Sequence, residues 1–271
     1  MKTQFLQTTE GTIAYDDTGN GQLVICVPGM GDLRQEYRLL SPYLVKAGYR
    51  VVTMDVRGHG ESSVGWSDNS NVGVGRDILA LIKHLNAGPS IIAGNSMAAG
   101  AAVWAATQSP DQVAGLVLLG PVVRNAPTPA YMTWIMKALF ADPWGVAAWG
   151  MYFNTLFPTH KPADYVTYRQ QLLTNLGQRG RLTALRNMIF APKDASEACV
   201  NQVKVPTFIV MGTKDPDFKD PIAEANWLAD QTHGKVMLVD GAGHYPHVEM
   251  IDQTAQPIVD FLKSIEVAHD A

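Results

Sequence analysis

The chain has 271 residues, of which 46% are hydrophobic and 17% charged, and its formal net charge is −4. That is the profile of a packed soluble globule and excludes a disordered chain, while the lack of any arginine-rich run speaks against a nucleic-acid partner. Two cysteines, Cys26 and Cys199, with no C-x-x-C pair and no Cys/His spacing, exclude a disulfide framework and a zinc site and fit a reduced, cytoplasmic setting.

Residues 2–8 and 12–18 alternate loosely around Glu10-Gly11, which predicts a hairpin. Residues 22–28 form an apolar run, as expected of a strand buried on both faces. Residues 33–47 read as a helix ended by Gly48, and Val51–Met54 as the next strand. A helix over 72–87 stops at Gly88-Pro89, followed by strand 90–93, helix 97–109 and strand 113–119. Such alternation predicts an α/β fold with a mostly parallel, doubly wound sheet.

The pattern breaks over 121–203. This stretch has no convincing buried strand. It holds aromatic and Met-rich helical pieces punctuated by Pro121, Pro127, Pro129, Pro143, Pro158, Pro162 and Pro192. Alternation resumes with strand 207–212, helix 221–232, strand 235–239 and a last helix over about 255–265, with Thr254 as its N-cap and Pro257 in its first turn. The expected organisation is a core of 1–120 and 204–271 carrying a helical insertion of 121–203. The first ten residues lack a long apolar run, so no signal peptide is expected, and no apolar stretch is long enough to span a membrane.

The most informative segment is Ile91-Ile92-Ala93-Gly94-Asn95-Ser96-Met97-Ala98. A buried strand runs straight into a helix with a serine at the junction, the layout of a nucleophile elbow. Taken alone, the motif is common by chance, and a serine there more often merely caps a helix. A serine hydroxyl needs a base to take its proton, and a neutral imidazole needs a carboxylate to orient it. Candidates follow the last two strands, where sites of open parallel sheets gather. Asp215 stands closest to the end of strand 207–212, with Asp217 as its rival, while Asp220 before Pro221 suits an N-cap. His244 follows Gly-Ala-Gly; His247 reads as a structural hydrogen-bonding residue, and His59, His84, His160, His233 and His269 as turn or surface residues.

With these residues assembled, the chain resembles the α/β-hydrolase superfamily over nearly its whole length. Val27-Pro28-Gly29-Met30-Gly31-Asp32 resembles the superfamily's oxyanion loop, Asp55-Val56-Arg57-Gly58-His59-Gly60-Glu61-Ser62 its D-x-R-G-x-G-x-S turn, and Gly243-His244-Tyr245-Pro246 its histidine loop. The chain departs from the pattern at Ala98, where the elbow usually has a second glycine, and at Pro28, where many members carry histidine. The resemblance implies a triad of Ser96, Asp215 and His244 and an oxyanion hole from the backbone N–H groups of Met30 and Met97. It also implies that the insertion is a helical cap, in which Tyr131, Trp134, Trp149 and Phe153 either line an apolar substrate pocket or form the cap's own core. The Asp55–Ser62 turn is expected to be structural.

The expected activity is hydrolysis of a carboxylic ester of a small, apolar molecule through an acyl-enzyme, with no cofactor and no metal. The same triad serves a lactonase, a thioesterase, a carbon–carbon bond hydrolase of vinylogous diketones or a cofactor-free perhydrolase. A receptor with slow or absent turnover is the non-enzymatic rival, separated by turnover of an activated ester. An unperturbed histidine titrates near 6.5; the Asp215 carboxylate would raise His244 and burial would lower it, so a single-proton acid limb of kcat/KM is expected between about pH 5 and 8.

Overall fold

The structure is a computed structural model describing residues 2–125 and 129–269, with side chains through Ile265. Pro127 and the side chain of His269 lie outside the described residues. The eight strands are β1 (Gln4–Gln7), β2 (Thr12–Thr18), β3 (Leu23–Val27), β4 (Arg50–Met54), β5 (Ser90–Asn95), β6 (Val113–Leu119), β7 (Thr207–Gly212) and β8 (Lys235–Val239). They form one sheet in the order β1-β2-β4-β3-β5-β6-β7-β8. β1 and β2 are the expected hairpin, and β2 meets β4 antiparallel; every later pairing is parallel. β3, β5, β6 and β7 are buried at every position, because helices cover both faces of a parallel sheet and leave no polar side to the strand.

In chain order the helices are α1 (Ser41–Lys46), α2 (Asn71–Leu85), α3 (Met97–Gln108), α4 (Ala130–Leu139), α5 (Gly145–Thr155), α6 (Tyr165–Leu176), α7 (Arg181–Phe190), α8 (Asp194–Glu197), α9 (Pro221–Thr232), α10 (Pro246–Glu249) and α11 (Ile251–His269). One apolar layer packs Ile78 and Leu81 of α2, Ala101 and Ala105 of α3 and Leu228 of α9 on one face of the sheet. The other packs Leu44 of α1 with Ile258, Leu262 and Ile265 of α11 on the opposite face. Helices α4 to α8 fill the stretch between β6 and β7, with no strand there among the described residues. Their apolar side chains form a third cluster that includes Trp149, Phe153, Tyr165 and Tyr168 and reaches Tyr245 and Val248.

Three expected helices differ in their limits. The helix over 33–47 is two pieces, a 3-10 turn at Arg34–Arg38 followed by α1. Pro42 cannot donate to the preceding turn, so the ladder restarts at α1, and the first piece instead buries Arg34 and Glu36 in long-range contacts. α2 ends at Asn86, which takes the left-handed conformation (φ 47°) before Gly88 is reached. α11 starts at Ile251, four residues early, so Pro257 lies inside it and Thr254 is no cap; Thr254 Oγ1 donates back to Met250 O. Pro257 costs that helix one hydrogen bond, offset by burial of Ala255, Ile258, Val259 and Leu262.

Candidate active site

Ser96 lies at the turn between β5 and α3 with φ 55° and ψ −124°, a conformation that side-chain-bearing residues rarely adopt. Its neighbours hold it there. Ser96 N–H donates to Leu119 O at 2.9 Å, and Ser96 O accepts from Ala99 N and Val122 N, each at 3.0 Å. The tight approach falls on Gly94, where a Cβ would lie 2.6 Å from Ala98 O. Ala98, fully buried, fits with its methyl group, so the departure from a second glycine is accommodated. Met97 opens α3, and the N–H groups of a helix's first turn have no intrahelical acceptor.

The loops after β7 and β8 bring Asp215 and His244 together. Asp215 Oδ1 accepts the Asp217 N–H at 3.0 Å, and Oδ2 binds His244 Nδ1 at 2.8 Å. Both side chains are buried. His244 N–H donates to Leu156 O at 3.0 Å, and His244 O accepts from Asn95 Nδ2 at 3.1 Å. The same amide donates to Leu119 O at 3.0 Å, so Asn95 ties the histidine loop to the turn that carries Ser96. Nothing in the sequence marks Asn95 for this, because its partners lie 24 and 149 residues away.

The far nitrogen of the ring has an unexpected neighbour. His244 Nε2 faces Asp217 Oδ2 at 3.6 Å, and no hydrogen bond joins the ring to Ser96 Oγ among the described residues. Asp217 Oδ1 accepts from Tyr152 OH of α5. Burial disfavours a charged ring, but Asp215 and Asp217, with Glu36 behind them, raise the pKa of His244 to about 9. That lies above the expected window of about pH 5 to 8, because the carboxylates outweigh burial.

The loop after β3 is held on both sides of Met30. Gly29 N–H donates to Glu36 Oε2 and Gly31 N–H to His59 Nε2, each at 3.0 Å. Between them, the Met30 N–H meets no acceptor among the described residues. Glu36 Oε1 binds His247 Nε2 at 2.9 Å, as expected of a structural His247. Burial pushes Glu36 up to about 8 and His247 down to about 3, so the pair is neutral near pH 7. His59 is not a surface residue. The Asp55–Ser62 turn carries it inward to 2% exposure, with Nδ1 against Arg57 O at 3.1 Å, and burial lowers it to about 4. A neutral His59 that donates through Nδ1 and accepts through Nε2 braces the loop, so with Glu36 it supplies the support that Pro28 cannot give.

The family model described as the alpha/beta hydrolase fold matches residues 22–250. The chain belongs to this family. One relative, a 2-hydroxy-6-oxononadienedioate/2-hydroxy-6-oxononatrienedioate hydrolase of Burkholderia vietnamiensis, is 23% identical over 94% of this chain and 92% of its own. A 2-hydroxy-6-oxo-6-phenylhexa-2,4-dienoate hydrolase of Comamonas testosteroni is 31% identical over 48% of this chain and 49% of its own, so that match spans about half of either. A solved thermophilic esterase of Thermogutta terrifontis superposes with a TM-score of 0.83 at 23% identity, covering 98% of this chain and 99% of that one.

In this hydrolase the four aromatic residues expected at a pocket part company. Tyr131 and Trp134 on α4 are 63% and 73% exposed, and α4 buries none of its residues, so these two are turned to solvent rather than into an enclosed pocket. Trp149 and Phe153 on α5 are buried. The Trp149 ring covers the β3 loop so closely that a Cβ on Gly31 would lie 2.3 Å from it. Phe153 packs among Phe157, Tyr165 and Tyr245, the core role allowed for it. Glu249 joins the histidine loop to the segment after α5, accepting from Gly243 N at 2.6 Å and from Thr159 N and His160 N at 2.8 and 2.7 Å.

Asp215, Asp217 and His244 have ligand atoms within 4.8 Å of one another, a grouping that could face a cation. Asp215 Oδ2 and His244 Nδ1 already bind each other, which leaves Nε2 and Asp217 facing outward. Two outward ligands fall short of the three that a catalytic zinc site requires, whereas a ring bound to a carboxylate on one side suits proton transfer. No helix among the described residues is long and apolar enough to cross a membrane.

Proposed function

We propose that the chain is a serine hydrolase that cleaves a carboxylic ester of a small, apolar molecule through an acyl-enzyme. The observation that carries this reading is the strained Ser96 at a strand-to-helix turn, tied through Asn95 to a loop whose His244 is bound by Asp215. Ser96 attacks the carbonyl carbon, and His244 takes its proton through Nε2 and later gives it to the leaving alkoxide. Asp215 holds the ring so that Nε2 is the free nitrogen. The developing oxyanion is met by the Met30 and Met97 N–H groups, the first flanked by two N–H groups already bonded and the second in the first turn of α3. Water then attacks the acyl-enzyme with His244 again as base. The scheme uses side chains and backbone alone.

In this proposal residues 1–120 and 204–271 are the catalytic core and 121–203 a helical cap, with α5 laid over the site through Trp149 and Tyr152. Purified protein should hydrolyse p-nitrophenyl butyrate and react with a fluorophosphonate. Ser96→Ala should abolish the labelling and lower kcat by roughly 10³-fold or more, since such residues act as a unit. Undiminished turnover in Ser96→Ala would end the proposal.

A second reading, cleavage of a carbon–carbon bond in a vinylogous diketone by the same residues, draws on the two relatives named as hydroxy-oxo-dienoate and dienedioate hydrolases. Substrates of that kind are carboxylates. A direct assay with such a diketone compares the two.

A further inference from the structure

Asp217 belongs to neither the proposed triad nor the proposed oxyanion hole, yet it stands at the outward edge of His244. Its side chain is partly exposed, at 21%. Oδ1 is engaged by Tyr152 OH. The 3.6 Å between Oδ2 and His244 Nε2 is too long for a hydrogen bond, so Oδ2 keeps acceptor capacity beside the nitrogen that must meet the leaving group. Burial, then Asp217 and Asp215, hold the Tyr152 phenol far above its ordinary pKa, so it remains a donor and fixes the carboxylate in place.

The local charge is one-sided. The groups that act most strongly on His244 are Asp215, Asp217 and Glu36, and no cation is among them. With the ring protonated, Asp215, His244 and Asp217 together carry one net negative charge; with the ring neutral they carry two. Lys214 and Lys219, the cations closest to Asp217 in the chain, are exposed and make no ion pair with it among the described residues, while Arg38 pairs with Asp164, Arg169 donates to the Gly150 carbonyl and Arg124 pairs with Glu224.

We propose that Asp217, fixed by Tyr152, is a specificity-determining residue that selects esters by charge, favouring a cationic ammonium group on the alcohol side and rejecting a carboxylate there. This rests on the ester-hydrolase reading and deepens it. The leaving alkoxide must approach His244 Nε2 to receive its proton, and substituents on that alcohol then come within a few ångströms of Asp217 Oδ2. At such separations a unit charge beside a partly buried carboxylate changes binding severalfold to a hundredfold, in opposite directions for the two signs. A carboxylate-bearing substrate, such as the second reading needs, meets this repulsion.

The test compares three butyrate esters: butyrylcholine, its uncharged isostere 3,3-dimethylbutyl butyrate and the smaller, anionic carboxymethyl butyrate. The readout is the ratio of kcat/KM for the cationic to the anionic ester at one pH. All three substrates share His244, so its titration cancels in the ratio. In the unaltered protein the ratio should be about tenfold or more above that of the same esters in alkaline hydrolysis. Asp217→Asn should lower it about tenfold, and Asp217→Glu, which keeps the charge, should retain most of it. A ratio that Asp217→Asn leaves unchanged, an equal loss in Asp217→Glu, or turnover of neither charged ester by a protein active on p-nitrophenyl butyrate overturns the proposal. Failure of the ester-hydrolase reading would look different, since p-nitrophenyl butyrate itself would then resist hydrolysis or survive Ser96→Ala.

Discussion

Asp215 Oδ2 binds His244 Nδ1 at 2.8 Å, both side chains buried in the loops after β7 and β8, while Asp217 reaches only the opposite nitrogen of the ring. The two aspartates sit two residues apart and do different work. In the proposed mechanism Asp215 sets the tautomer, because a carboxylate at Nδ1 keeps the proton there and leaves Nε2 free to act as a base.

Asp215→Asn should therefore lower kcat by about 10⁴-fold, since an amide stabilises the wrong tautomer. Asp217→Asn should leave far more of the activity on an uncharged ester. Steady-state kinetics of both variants on p-nitrophenyl butyrate decide this, and a larger loss in Asp217→Asn would reverse the assignment.

The pH profile follows from the same arrangement. Neighbouring carboxylates favour the charged ring and raise His244 to about 9, and a base works only when neutral. The acid limb of kcat/KM should lie above pH 8, with activity still climbing between pH 7 and 9. Removing one carboxylate in Asp217→Asn should move the limb to lower pH. A limb near 6.5 in the unaltered protein would show that burial cancels the pull of the carboxylates, and a limb below 6.5 that burial governs the ring.

Stability should fall as pH rises above about 6.5. Burial raises Glu36 to about 8 and Asp32 to about 7, whereas unfolded carboxyls titrate near 4. Between those values the folded chain holds protons that the unfolded chain has released, so each step up in pH favours unfolding. His244 acts in the same direction: the stability it contributes is fully present below about 6.5, its unfolded value, and is lost as pH rises through about 9. Below about 6.5 the buried His59 and His247 oppose this, because burial lowers them to about 4 and about 3 and they take up protons only on unfolding, so thermal melts followed by circular dichroism should show Tm declining from about pH 7 to pH 9. Glu36→Gln, which keeps an oxygen for the Gly29 N–H, should flatten the slope; an unchanged slope would remove Glu36 from this role.

Gly31→Ala should damage the β3 loop. Gly31 has φ +73°, and a methyl group there would strike the Trp149 indole. The expected loss is roughly 1–3 kcal/mol from backbone strain, measurable by urea unfolding, together with reduced esterase kcat as the Met30 N–H is displaced. Adding Trp149→Ala to make room should recover part of the stability. No recovery would mean that the left-handed backbone alone sets the cost.

Local chemistry made much of this protein legible in its sequence. Unbroken apolar runs announced β3, β5, β6 and β7, because a strand covered on both faces has no polar side. Gly94-Asn95-Ser96 and the two loops holding Asp215 and His244 marked strand ends, and Asp220 before Pro221 announced a helix start that its side chain caps through Ala223 N. What the sequence could not decide were contacts between residues far apart in the chain. The inward turn of His59 onto Gly31, the Glu36–His247 pair across 211 residues, the Asn95 bridge to His244 and the Tyr152–Asp217 bond leave no periodicity and no spacing to read. Pro257 misplaced the start of α11 for a related reason, since the packing that offsets its lost hydrogen bond comes from the sheet and not from the helix itself. Exposure was likewise undecided. Aromatic residues at helical spacing look alike, but tertiary packing buried Trp149 and Phe153 and turned Tyr131 and Trp134 outward, because a side chain's surroundings depend on which face the fold covers.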